Sequence, residues 1–428
     1  MSASPAQKPR RIVIVGGGII GSSIAYYLSR VLPKAAAATS AATKASSSTE
    51  PSPSSLDSQP RDQSLSVTLL ETSSKPAPGA SGKAGGFLAL DWHGPTTRSL
   101  AELSFELHRS LAEKDEGEKK WGYRQVETMQ VSFDTSKRSR KRSGLGNGVE
   151  DQRLGWLDHE IVTSKSSMGG NGTTAQVNPE DLTHHLVNEA KAQGVEFLFD
   201  ASATGLDLDA SGRVKAVRVE DANSGREHSI KATDVVLAAG PWTGSLITKL
   251  FPRNRVPSFL RNATSIDGSR AHSVVIKSSG SLSADCLFTE MAYGEGGRKA
   301  GSPEVYCRPD GTAYVCGSSD DEPLPKTVDQ VGFDESKTRI LKEQASVVSP
   351  SALDTIKGSA EVVREQACYL PISNRTGDPI IGGRDGIYVA AGHSCWGITN
   401  SLGTGKVIAE LLLEGKAKSA DIRSLMPK

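Results

Sequence analysis

The sequence predicts an α/β fold: a parallel-sheet domain assembled from separated stretches of chain, joined to an α+β domain with a mixed, largely antiparallel sheet. Three observations predict it. The apolar run Arg11–Val15 ends in Gly16-Gly17-Gly18-Ile19-Ile20-Gly21, a G-x-G-x-x-G pattern. A second apolar run, Val67-Thr68-Leu69-Leu70, ends in Glu71. Two further buried-strand patterns, Asp234–Ala239 and Ile387–Ala391, each run into a glycine, and strand-rich sequence lies between them.

The glycine spacing has a steric logic. Gly16 lets the chain turn sharply, Gly18 lets the backbone approach a pyrophosphate, and Gly21 lets the following helix pack closely on the strand. The helix reads Ser22 to Leu32, with Ile20, Ile24, Tyr27 and Leu28 at helical spacing. The amide groups at its start, around Ile19 and Ile20, and its positive dipole end would face the phosphates. This is the signature of a Rossmann-like dinucleotide site. Its usual acidic residue closes the second strand about 20 residues after the glycines, whereas Glu71 lies 50 residues beyond Gly21. The chain between, Lys34–Ser64, is rich in Ala, Ser, Thr and Pro and cannot bury enough apolar surface to order itself. It reads as a disordered insertion over 33–65. The other reading is that Glu71 ends some unrelated strand.

Further along, Ser136–Arg153 reads as a polar loop insertion. Its run Lys137–Arg142 suits a solvated loop tip, or else a nuclear signal or anionic-surface contact. Asn178 can cap a helix, Pro179 suits the first helical position, and Asp181 completes a capping-box-like pattern. Leu182, Leu186, Val187 and Ala190 share one face, Gly194 ends the helix, and Val195–Phe199 reads as a strand. Asp234–Gly240 is a buried strand and glycine turn leading to Trp242. The last third alternates short strands with turns such as Pro309-Asp310-Gly311, and a helix near Thr404–Leu413 closes the chain. The predicted organisation is a flexible stretch over 1–9, a nucleotide-binding domain from 10–90, 175–250 and 360–428, and a substrate domain from 91–174 and 251–359.

With 428 residues, two structural domains are expected. Lys and Arg total 50 against 49 Asp and Glu, so no global field favours nucleic acid or an anionic membrane. The start has no apolar core typical of a secretory signal, and no apolar run of membrane-spanning length follows. Five scattered cysteines without a C-x-x-C suit a reducing compartment. The expected location is cytoplasmic, or peripheral to an endomembrane compartment such as endosomes. No metal is expected: His184 and His185 are adjacent on a helix and point apart.

Four segments in order resemble the FAD-dependent D-amino-acid oxidase family, the group that includes glycine oxidase and sarcosine oxidase. They are the Gly16–Gly21 loop with Glu71, Gly79–Phe87, Val235–Trp242, and Gly377–Gly383 with Ala391–Ile398. The second segment looks most like an intracellular eukaryotic subgroup of oxidoreductases. The resemblance implies that Gly16, Gly18, Ile19, Ile20 and Gly21 hold the FAD pyrophosphate and that Glu71 accepts the adenosine ribose hydroxyls. A carboxylate there would repel the 2′-phosphate of NADP. Ser81, Lys83, Gly85 and Gly86 would lie along the ribityl chain and flavin, where missing side chains let the ring pack on backbone. Gly240 and Trp242 belong to the third segment. Gly392, His393, Gly397 and Ile398 would meet the pyrimidine side of the ring, near amides able to stabilise a reduced anionic flavin.

The family reaction is hydride transfer from an amine-bearing carbon to flavin N5, with positioning as the protein's main task. The implied substrate is a small molecule, and protein partners are unspecified. Family members secure a substrate carboxylate with Arg or Lys, and here the chain departs. Leu370 stands at the arginine position, Thr399 at that of a lysine near the flavin, and Ala313–Cys316 holds no oxygen-assisting lysine. Tyr306 and Arg308, at i and i+2 on one face of a strand before the Pro309 turn, are candidate substitutes, and His272 is a third. Cys368 lies one residue out of register with the family's covalent flavin attachment, so non-covalent FAD is expected. An accessory role in intracellular trafficking, with flavin bound but little turnover, is the alternative that the missing cations allow.

Overall fold

The computed structural model describes residues 9–32, 65–138, 152–169, 172–251 and 255–428. Most of the two polar insertions predicted from composition, and the first eight residues, lie outside these. Strand Leu65–Leu70 starts within the predicted first insertion, with Leu65 buried.

A six-stranded sheet forms the nucleotide-type domain, in the order Ile380–Arg384, Ile387–Ala391, Asp234–Leu237, Arg10–Val15, Leu65–Leu70, Glu196–Leu198. Every pair is parallel except the first, a hairpin. Arg10–Val15 sits at the centre, and Leu65–Leu70 pairs beside it from Arg10↔Leu65 to Val15↔Leu70. Glu71 therefore closes the second strand, as the first of the two readings required. Alternation along a strand sends successive side chains to opposite faces. Ile12 and Ile14 pack under the helices Ile19–Ser29, Pro179–Ala192 and Ser401–Glu414, while Val13 and Val15 pack toward a three-stranded meander (201–231) and the helix Thr243–Leu250.

The second domain is an eight-stranded sheet. Its main path runs Glu361–Ser373, Ile266–Lys277, Thr312–Asp320, Glu304–Cys307, Asp285–Tyr293, Glu127–Asp134, Val162–Ser167. All neighbours are antiparallel but for Asp285–Tyr293 beside Glu127–Asp134, so the sheet is mixed and largely antiparallel. One face, with Val274, Leu287, Val305 and Val315, packs on the helix Glu335–Val348. The other face turns toward the nucleotide-type domain.

Two predicted boundaries move. Glu361–Ser373 lies in the stretch expected for the nucleotide domain, but it hydrogen-bonds along Ile266–Lys277 in the large sheet. Sequence order cannot tell a strand which sheet it joins. The helix Arg98–Asp115 lies in the stretch expected for the substrate domain, yet its stripe of Leu100, Phe105, Leu111 and Ala112 is buried with Leu402 and Val407 of the last helix. Gly403 makes that approach close, since a Cβ there would lie 2.9 Å from the Leu100 carbonyl oxygen.

Candidate cofactor and substrate site

The glycine loop has the shape its spacing predicted. Gly16 adopts φ +118°, and a Cβ on it would lie 2.3 Å from the Ala238 carbonyl oxygen. A Cβ on Gly21 would lie 1.9 Å from the Gly16 carbonyl oxygen. Neither position tolerates a side chain without moving backbone. The helix Ile19–Ser29 begins at Gly18, so it has no N-cap side chain of its own and no acidic residue in its first turn. Its positive dipole end, with no carboxylate in the first turn, suits an anion. Above Gly18 a Cβ would meet only the Ser81 hydroxyl, at 3.2 Å, and that hydroxyl accepts the Ile19 N–H at 2.8 Å.

Beside this loop the Glu71 carboxylate is buried and accepts from Gly17 N (2.7 Å), Ser73 N (2.9 Å) and Thr72 Oγ1 (3.1 Å). Burial outweighs these bonds and holds its pKa above the usual carboxylate range. A ribose diol would add two donors to an acceptor that already orders the loop. The close contact belongs to Gly17, where a Cβ would lie 2.9 Å from that of Glu71. Sequence reasoning passed over this residue. A helix end without a cap of its own, a loop that only glycine can form and a fixed carboxylate together fit the diphosphate and ribose of an FAD.

The Gly79–Phe87 segment runs across the inner face of the large sheet. Lys83 Nζ donates to the Ala367 carbonyl (3.1 Å), Gln366 Nε2 donates to the Lys83 carbonyl (3.0 Å), and burial lowers the Lys83 pKa. The missing side chains of Gly85 and Gly86 make room for protein here. A Cβ on Gly85 would lie 2.3 Å from the Tyr306 ring, and one on Gly86 1.9 Å from the Val177 carbonyl oxygen. In the third segment Gly240 turns at φ +53°, and Trp242 Nε1 donates to the Pro325 carbonyl at 2.7 Å.

In the fourth segment Gly392 has φ +84° and packs on Ser373, while Gly397 lies over His393. His393 is buried, its Nε2 is 3.0 Å from Thr404 Oγ1, and burial pulls its pKa down to about 4. The Ile398 carbonyl accepts from Ser401 Oγ and pairs with His108 Nε2 at 3.0 Å. His108 is likewise buried, with a pKa pulled down to about 4. It was not legible as a partner of this segment. Thr399 donates to the Phe87 carbonyl at 3.3 Å.

The three candidates in the substrate domain separate. Tyr306 and Arg308 share a face as predicted. The Tyr306 ring stacks on Tyr314 (5.8 Å between centroids) and on Phe87 (5.7 Å). Arg308 lies over the Tyr314 ring and donates to the Ala84 carbonyl at 3.3 Å, and burial lowers its pKa. His272 is directed elsewhere. Its Nε2 accepts the Asp334 N–H (2.9 Å) at the N-cap of the helix Glu335–Val348. Cys368 is buried and its thiol is pushed up to about 11 by burial, which keeps it a poor nucleophile for covalent attachment.

The structure adds residues that the sequence did not single out. Phe87, Trp92 and Phe288 form a triangle of rings 5.2 to 5.5 Å apart, and Trp92 meets Trp396 of the fourth segment at 6.3 Å. Glu304, two residues before Tyr306 on the same face, accepts the Tyr306 hydroxyl and the Cys316 thiol. Alternation from Tyr306 could have reached it. Among the described residues no group of three or more His, Cys, Asp or Glu is placed to hold a metal, and no helix is long and apolar enough to cross a membrane.

Known proteins share both sequence and shape with this chain. The family model described as FAD dependent oxidoreductase (DAO) matches residues 11–411. A protein of Schizosaccharomyces pombe named as a putative oxidoreductase is 36% identical over 98% of each chain. A second of that description, from Saccharomyces cerevisiae, is 29% identical over 98% of this chain and 94% of its own. Among solved structures, glycine oxidase from Bacillus cereus superposes with a TM-score of 0.68 at 19% identity, covering 98% of this chain and 99% of that one.

Proposed function

We propose, on the premise that this chain belongs to the DAO family of FAD-dependent oxidoreductases, that it oxidises the carbon–nitrogen bond of a small amine or amino-acid-like molecule. Bound FAD would supply the hydride acceptor, so that the substrate would leave as an imine for water to hydrolyse. The chain's own residues bind and orient. The helix end at Gly18–Gly21, with Ile19 and Ile20, takes the diphosphate, and Glu71 takes the ribose. Ser81, Lys83, Gly240, Trp242 and the segment Gly392–Ile398 would hold the remainder of the cofactor. The aromatic group of Phe87, Trp92, Phe288 and Tyr306 excludes water from the reacting carbon, which strengthens every polar contact made there.

The observation that carries this reading is where the large sheet's inner face points. Tyr306 lies on Gly85 of one cofactor segment, and Trp92 links the same aromatic group to Trp396 of another. A substrate held on that face would meet both cofactor segments. The test is anaerobic mixing of the flavin-loaded protein with amines, D- and N-methyl amino acids and hydroxy acids. Loss of the oxidised flavin's visible absorption with a nitrogen compound is expected. Reduction by hydroxy acids alone overturns the reading. Flavin that binds but is reduced by nothing, metabolite extracts included, points instead to an accessory role.

A further inference from the structure

The inner face of the large sheet carries a polar row that crosses four strands in register. Glu304 pairs with Cys316, Cys316 with Ser273, and Ser273 with Gln366. The row lies against the cofactor segment, since Gln366 Nε2 donates to the Lys83 carbonyl and Tyr306, next on Glu304's face, packs on Gly85. It is rich in acceptors. Glu304 is acceptor-only when ionised, and its two partners among the described residues, the Tyr306 hydroxyl and the Cys316 thiol, are neutral. Gln366 is nine-tenths buried, spends its amide hydrogens on Lys83 and Ser273, and leaves Oε1 without a donor. A buried acceptor without a donor is costly, so the pattern calls for donors from outside the chain.

The walls around Glu304 suit a cation. Tyr306 and Phe288 meet at 6.1 Å, Phe87 stacks on Tyr306, and Phe288 lies opposite Glu304 in the strand register. Aromatic faces attract ammonium groups. The cations nearby bond to neutral groups, Lys83 to the Ala367 carbonyl and Arg308 to the Ala84 carbonyl and the Tyr314 ring, with Arg308 Nε left without a partner, so what separates them from Glu304 is distance. Arg308 is four residues from Glu304, about 13 Å along an extended strand, with the Tyr306 ring between. A carboxylate on the carbon that bears the amine would lie beside Glu304 and be repelled.

We infer that the substrate binds as a cation, its ammonium held by Glu304 within the rings of Phe87, Phe288 and Tyr306 and yielding a proton to that carboxylate before hydride leaves the carbon, and that it bears no carboxylate beside the reacting carbon. This rests on the amine-oxidising reading above and narrows it to simple primary or secondary amines. The missing family cations at Leu370 and Thr399 then mark a change of substrate rather than a loss of turnover.

The test uses the flavin-loaded full chain and follows shifts of the flavin spectrum on ligand binding, so that binding and reduction are read separately. The probes are butylamine, benzylamine and N-methylbenzylamine, with both enantiomers of phenylglycine as the carboxylated match and benzyl alcohol as the neutral one. The wild type is expected to bind benzylamine about tenfold or more tightly than either comparison compound, the scale of one charge-assisted hydrogen bond. Glu304→Gln is expected to remove that preference while FAD content and the unliganded spectrum stay as in the wild type. Tighter binding of phenylglycine, silence of every amine, or a preference that survives Glu304→Gln overturns the inference. If Glu304→Gln fails to hold FAD, the wild-type comparison with phenylglycine still decides. Amines that bind but do not reduce the flavin would instead sink the amine-oxidising reading and leave cation recognition standing.

Discussion

Two buried imidazoles make the stability of this protein depend on pH in a window that can be worked out. His108 and His393 are 1% and 2% exposed, and burial pulls both from 6.5 to about 4. Well above pH 6.5 both are neutral whether the chain is folded or not, and their bonds to the Ile398 carbonyl and Thr404 are fully in place. As pH falls through the window from 6.5 to about 4, the unfolded chain takes up protons that the folded chain refuses, so stability drops. At pH 5 the cost is about 2 kcal/mol for each imidazole and about 4 kcal/mol for the pair, from the ratio of the two proton-binding polynomials. The assay is urea unfolding at saturating FAD, followed by tryptophan fluorescence, at pH 7 and pH 5. The wild type is compared with His108→Gln, His393→Gln and the double variant. The double variant is expected to be less stable at pH 7 but to lose about 4 kcal/mol less than the wild type between the two pH values. Carboxylates titrating in the same range contribute alike to both proteins and cancel. An equal loss in the two would refute the assignment of this pH response to His108 and His393.

Other consequences are as direct. Glu71→Ala removes the acceptor for two ribose hydroxyls, each charge-assisted bond being worth about 1.5–3 kcal/mol, and should raise the Kd for FAD about a hundredfold or more by calorimetry on apoprotein; unchanged affinity would show that the carboxylate serves only Gly17 and Ser73. Gly85→Ala puts a Cβ 2.3 Å from the Tyr306 ring, so it should destabilise the holoprotein, and adding Tyr306→Ala should restore part of the loss. The expected coupling is about 1 kcal/mol or more, and simple additivity would mean that the ring does not occupy that space. Acid precipitation should give a colourless pellet and a yellow supernatant, because the buried Cys368 thiol stays protonated and unattached; a yellow pellet would show covalent flavin.

What was legible in the sequence was set by local sterics. Gly16 and Gly21 are dictated by backbone atoms within the same strand-turn-helix unit, and the pattern announces itself in six residues. The cap at Asn178, which accepts from Glu180 N and Asp181 N with Pro179 in the first turn, is equally local. Glu71 needed one further step, across an insertion whose composition declared it dispensable to the core. What escaped depends on pairing at long range. Nothing near Glu361–Ser373 says that it will lie beside Ile266–Lys277, and nothing near His108 says that it will meet the Ile398 carbonyl 290 residues on. His272 shows the same limit. A histidine draws attention as a base, yet Nε2 is consumed by the Asp334 amide, a use invisible until the helix Glu335–Val348 is placed. Tyr306 and Arg308 show the intermediate case. Alternation placed them on one face, and the same alternation carried two residues upstream reaches Glu304. That step was missed because the family pattern directs attention to cations. The absence of Arg or Lys at Leu370 and Thr399 looked like damage to a carboxylate site. Beside a carboxylate with neutral partners and a ring of aromatics, it would be, on the inference of a cationic substrate, the electrostatic condition for holding it.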